Sequence, residues 1–96
     1  SNYKMLYLMH WKIKDGCHEK AVEKFLSTGA PMPENCVLVG RYHAPGSGQG
    51  WLIADTEDPL TIYEHASEWN EFLIWENSPV FTDQQAGLVS SKIWKK

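Results

Sequence analysis

Residues 4–14, "KMLYLMHWKIK", carry large apolar side chains at more than half of their positions and no Gly or Pro before the "DG" that ends them. Such a run predicts a strand buried on both faces. The period then changes: Cys17, Ala21, Val22, Phe25 and Leu26 make one stripe with Lys and Glu opposite, closed by Gly29, which predicts a helix with a glycine C-terminus. "APMPEN" breaks that periodicity, because each Pro biases its predecessor toward extended geometry. "CVLVGRYHA" (36–44) and "GWLIADT" (50–56) then read as the second and third strands. Asp58 before Pro59 predicts an N-cap followed by the first helical residue, opening a helix whose stripe is Ile62, Tyr63, Ala66, Trp69 and Leu73. "LIWENSPVF" (73–81) reads as a fourth strand, with Pro79 marking a sheet edge. Thr82 and Gln85 form a capping box before a shorter helix through Ala86, Val89 and Ile93.

The order β-α-β-β-α-β with an additional C-terminal helix predicts an α+β, ferredoxin-like fold, a four-stranded antiparallel sheet with both helices on one face. Residues 3–96 read as one domain, and Ser1 and Asn2 as the remnant of a cleaved tag. The glycines of "HAPGSGQGW" (43–51) fall between two strands, where a hairpin must close. A phosphate loop needs its glycines between a strand and a helix N-terminus, with a Lys after them in the Walker case. "SGQGWLIA" also fails as an RNA-recognition signature, with Gln49 where a stacking aromatic belongs and Ala54 where the final aromatic should stand.

Strict alternation places Val39, Arg41 and His43 on one sheet face with Trp51, Ile53 and Asp55, joined by Leu6, Leu8 and His10 of the first strand. Tyr7, Met9, Trp11, Ile13, Leu38, Gly40, Tyr42, Leu52 and Ala54 then pack beneath the helices. With strands one and three as parallel neighbours, His10 lies near Asp55, and Arg41 is within cross-strand reach of it. The first of these faces has no helix over it and is too apolar for a soluble monomer to expose. The simplest cover is the same face of a second copy, giving a two-fold homodimer whose two sheets enclose a cavity.

Composition narrows the partners. Nine Lys and Arg against twelve Asp and Glu give a net charge of −3, which argues against nucleic acid and against polybasic membrane attachment. The absence of a long apolar run and of a secretory leader pattern makes a cytoplasmic protein the expectation. Cys17 and Cys36 lack C-x-x-C spacing and read as free thiols, and no metal-ligand spacing links the histidines.

"HW" (10–11), "GRYH" (40–43), the acidic end of strand three leading to "DP" (58–59), and Trp69 resemble a family of short bacterial proteins designated only as a domain of unknown function. That family is similar to the dimeric α/β-barrel superfamily, which includes cofactor-independent quinol monooxygenases, haem-degrading oxygenases and muconolactone isomerases. The resemblance implies the fold and the homodimer; it implies no reaction. Its residues are His10, Trp11, Gly40, Arg41, His43, Asp58 and Trp69. Of these, Asp58 reads as a helix cap, Trp11 and Trp69 as core, and Gly40 as a point of close helix approach.

Two functions are expected in turn. The first is binding of a small, partly aromatic molecule between the sheets, with Arg41 as an anion or carbonyl contact, His43 near the hairpin and Trp51 as an apolar wall. The alternative is a cofactor-independent monooxygenase or isomerase in which His10 abstracts a proton, Asp55 orients it and Arg41 stabilises the oxyanion. Neither calls for a cofactor or a metal. His18 and His65 are expected on or beside polar helix faces.

Overall fold

The chain folds into the α+β, ferredoxin-like arrangement that the periodicity predicts. In the computed structural model, which describes residues 5–95, the elements are β1 (Leu6–Ile13), α1 (His18–Thr28), β2 (Val37–Ala44), β3 (Gln49–Asp55), α2 (Leu60–Trp69), β4 (Leu73–Val80) and α3 (Asp83–Trp94). Ser1 and Asn2 lie outside the described residues. One antiparallel sheet has the order β2-β3-β1-β4, so Pro79 of β4 does sit on an edge strand.

The local signals act as expected at most element ends. Gly29 takes a left-handed φ of 73° and donates its N–H to Phe25 O, closing α1. Asp58 Oδ1 accepts from Leu60 N at 3.0 Å, so Asp58 caps α2 with Pro59 entering at φ −57°. The Thr82–Gln85 capping box is fully formed, and the helix after it, α3, runs 12 residues rather than being short. Residues 45–48 close the β2–β3 hairpin, with Gly46 and Gly48 at φ 72° and 62°. The glycine stretch is therefore a turn.

Strand direction corrects one expectation. A helical crossover returns β2 parallel to β1, and the hairpin then reverses β3, so β1 and β3 run antiparallel rather than parallel. His10 pairs with Trp51, while Asp55 pairs with Leu6, four residues back along β1. At about 3.4 Å per residue this separates His10 from Asp55 by about 14 Å.

The core lies between the sheet and α1 and α2: Met9, Trp11, Leu52 and Ala54 below, Ala21, Ile62 and Trp69 above. Two buried hydroxyls tie the β3–α2 connection. Thr56 donates to Asn35 O and accepts from Asp58 N, and Thr61 bonds to Asp58 O at 2.7 Å. Cys17 and Cys36 are free thiols, and burial pushes the Cys36 thiol up from its usual pKa. By contrast, α3 buries none of its residues. The radius of gyration, 15.8 Å, exceeds the roughly 13 Å of a compact domain of 100 residues.

Candidate functional site

The faces of β2 decide where a site can form. Leu38 opposes Ala54 on the helix side as expected, but the register shifts between Leu38 and Gly40, and beyond it Arg41 opposes Leu52 and His43 opposes Gly50. One extra residue reverses the alternation. Arg41 and His43 therefore point toward the helices, and Gly40 and Tyr42 toward the open face with Ile53 and Trp51. Gly40 makes room for the Tyr42 ring, whose hydroxyl would stand 2.6 Å from an added Cβ, and not for a helix.

A row of paired residues crosses the covered face: His43, Gly50, Trp11 and Trp75. The Trp11 indole lies over Gly50, where a Cβ would stand 2.5 Å from its Cη2 and from Tyr42 O. Trp11 meets Trp75 and His43 edge-on, with centroids 6.1 and 5.3 Å away. Above this floor, Phe25 of α1 and His65 and Trp69 of α2 line a half-open cavity of about 100 Å³, with Arg41 in its wall. A depression of about 380 Å³ toward the hairpin shares Trp11, Ile13, Val22 and His43 with it, so His43 stands at the junction.

Arg41 is positioned by strained backbone. Ala30 adopts φ 47°, a left-handed conformation unusual for a residue with a Cβ, and its carbonyl accepts from Arg41 Nη2 at 2.7 Å. Thr28 Oγ1 accepts from Ala30 N at 3.0 Å and holds that geometry. Among the described residues no carboxylate pairs with Arg41. Burial pulls its pKa down from the usual guanidinium value.

His65 is 2 % exposed and lacks a hydrogen bond among the described residues; Nδ1 is wholly buried, 3.6 Å from Glu68 Oε1. Burial, and then the charges of Arg41 and Lys24, lower its pKa from 6.5 to about 4, so the imidazole is neutral. Trp75 Nε1 is likewise buried and unpartnered. The two rings meet edge-on at 5.9 Å. Two orphaned polar atoms beside one cavity stand out, because buried polar groups are nearly always hydrogen-bonded and Thr56 and Thr61 nearby are.

The sequence-derived site residues thus divide. Arg41 and His43 share the cavity wall. His10, Trp51 and Asp55 lie on the opposite face: His10 stacks on Trp51 at 4.8 Å and 6° and bonds Gln49 Oε1 at 2.8 Å, and Asp55 Oδ1 accepts from Met5 N at 3.2 Å. The His10–Asp55–Arg41 constellation is not assembled, because β3 runs antiparallel to β1 and the bulge turns Arg41 to the other side. Nor does Trp51 share a wall with Arg41.

Against this geometry stand the comparisons. A family model described as "Domain of unknown function (DUF3303)" matches residues 5–93. The chain belongs to that family. Its fold is shared with an uncharacterized NIPSNAP-like domain protein from Burkholderia xenovorans, at 15 % identity and a TM-score of 0.55, over 85 % of this chain and 87 % of that one. No curated protein matches the sequence. No helix among the described residues is long and apolar enough to cross a membrane.

Sequence reasoning passed over Trp75 and expected His65 on or beside a polar helix face, whereas His65 is buried in the α2 stripe that faces the core. Both carried a signal. His65 lies three residues after Ile62 and four before Trp69, inside the buried stripe of α2, while Tyr63, assigned to that stripe, is 75 % exposed. Trp75 follows Leu73 by two in β4 and so shares its covered face.

Proposed function

We propose that this protein is a homodimer that binds a small, partly aromatic anion, with the binding cavity between helices and sheet in each subunit rather than between the two sheets. The observation that carries the binding is a single cluster. A guanidinium with no carboxylate partner among the described residues and a neutral buried imidazole line one cavity with Trp11, Phe25, Trp69 and Trp75. Apolar walls with a few convergent polar groups are the general form of a small-molecule site. At about 100 Å³ it is smaller than the apolar cavity of about 150 Å³ that takes benzene, so a ring there extends into the adjoining depression of about 380 Å³ toward the hairpin. Calorimetric titration with benzoate tests this. Binding is expected, weakened about tenfold or more in Arg41→Met, the loss of a charge-assisted hydrogen bond. Absence of binding at millimolar benzoate, or equal affinity in the variant, contradicts it.

Support for the dimer comes from surface left bare. The subunit exposes 7087 Å², against about 5,600 Å² for a compact monomer of its mass. The excess exceeds the ~800 Å² that each partner buries in a standard interface. Val37, Tyr42 and Ile74 on the open face, and Leu88, Ile93 and Trp94 of α3, are each more than half exposed. A helix of 12 residues is marginal by itself in water, so α3 also needs cover. Light scattering at micromolar concentration is expected to give twice 11.0 kDa. A monomer there would overturn this part.

A further inference from the structure

Resting on the homodimer reading above, we infer that α3 is an exchanged arm, whose apolar stripe docks on the body of the second copy and supplies much of the affinity between subunits. The helix is well made, yet its own subunit does not use it. Its capping box is complete, while every residue from Ala86 to Lys95 is exposed. Ala86, Val89 and Ile93 stand at i, i+3 and i+7 on one stripe, adjoined by Trp94, and the last three are 55, 65 and 79 % exposed. The subunit measures 55 × 28 × 17 Å, and α3, about 18 Å long, stands out from its own body rather than lying on it.

Charge and area name the occupant. From Phe81 onward the sequence carries three Lys and one Asp, whereas residues 1–80 carry six Lys and Arg against eleven Asp and Glu. Between Arg41 and Lys92 it has no Lys or Arg at all, and this stretch presents the exposed carboxylates Glu64, Glu68, Glu71 and Glu76. A basic, apolar arm thus complements the acidic body of its own kind. The surface left bare exceeds that of a compact monomer by nearly twice what one partner buries in a standard interface, which leaves room for α3 as well as the sheet face. A link of two residues, Phe81 and Thr82, starts the arm at the end of the edge strand β4, beside the open face. The arm therefore continues the surface through which the subunits associate.

The test compares the full-length wild-type chain with the double variant Val89→Glu, Ile93→Glu by analytical ultracentrifugation. The dissociation constant of the dimer is expected to rise about a hundredfold or more, the worth of two buried aliphatic side chains. Circular dichroism should show the subunit still folded, because α3 buries no residue against it. Trp94 gives an independent reading that decides the matter even if the double variant does not fold. The emission that wild type has and Trp94→Phe lacks should shift to the red, and open to acrylamide quenching, as the dimer is diluted into monomers. A wild-type dimer whose double variant keeps the same dissociation constant, or a Trp94 quenched equally in dimer and monomer, overturns the arm and leaves the dimer standing. A Trp94 shielded in the monomer also overturns it, by placing α3 on its own body. Should wild type be monomeric at every concentration, both readings fall together.

Discussion

On its covered face the sheet presents Met9, Trp11, Leu52 and Ala54, all buried; on the other it presents Leu8, His10, Trp51 and Ile53, all half-buried. The hydrocarbon content is similar, and the satisfaction of polar groups runs opposite to expectation. On the open face His10 is stacked and hydrogen-bonded, and Asp55 accepts a backbone N–H. On the covered face, among the described residues, Arg41 has no carboxylate partner, and His65 Nδ1 and Trp75 Nε1 make no hydrogen bond. A surface that needs a neighbour for its apolar atoms is a place for association; a cavity that needs one for its polar atoms is a place for a ligand.

The sharpest way to break this contrast is to truncate one leucine on each side. Leu52→Ala on the covered face is expected to cost about 2 to 5 kcal/mol in urea unfolding, the transfer and cavity terms together. Leu8→Ala on the open face is expected instead to weaken dimerisation, read as dissociation at higher protein concentration. Equal loss of subunit stability, with the dimer unchanged, would erase the distinction.

The second effect is a pH dependence. His65 titrates near 4 in the folded chain and near 6.5 when unfolded, so below pH 6.5 the unfolded state binds the extra proton. Stability from this residue is complete above pH 6.5. It falls by about 3 kcal/mol in all as pH drops toward 4 and then levels off. The groups responsible after burial are Arg41 and Lys24, with the Glu68 carboxylate facing Nδ1. Denaturation curves of His65→Phe between pH 4 and 7 should lack this slope; profiles parallel to wild type would contradict a buried neutral imidazole.

Two smaller effects sharpen the comparison. Gly50→Ala sets a Cβ against the Trp11 ring and Tyr42 O and is expected to cost about 1 to 3 kcal/mol, with loss of benzoate binding as the indole is driven into the cavity. A thermal melt and one titration check it. Thr82→Ala removes the cap of α3 and is expected to cost about 1 kcal/mol, because a docked helix transmits the loss to global stability. A melt identical to wild type would mean that α3 stands free.

How far the sequence spoke differs between these regions in the same way. Caps and turns were legible from Gly29, Asp58, Thr82 and residues 45–48, because each acts through its own backbone. Facing was legible in β3, where Trp51, Leu52, Ile53 and Ala54 alternate cleanly in burial. It was not legible in β2. "VLV" is apolar at every position and gives no sign of the shift between Leu38 and Gly40 that turns Arg41 to the helix side. The relation of His10 to Asp55 hung on strand direction, a property of the whole topology. His65 was readable from spacing but obscured by its chemistry, since a histidine on an apolar stripe looks like a polar interruption until its burial is seen.

The central claim is that the functional cavity lies under the helices and not on the open sheet face, and the five tryptophans report on it separately. Trp11, Trp69 and Trp75 line the cavity, Trp51 lies on the open face, and Trp94 is on α3. Proton–nitrogen correlation spectra of the indole N–H groups, assigned by single Trp→Phe substitutions and recorded through a titration with benzoate, should show shifts at Trp11, Trp69 and Trp75. Trp51 and Trp94 should stay where they are. Shifts at Trp51 with the three cavity indoles unmoved would put the site on the open face and contradict the account.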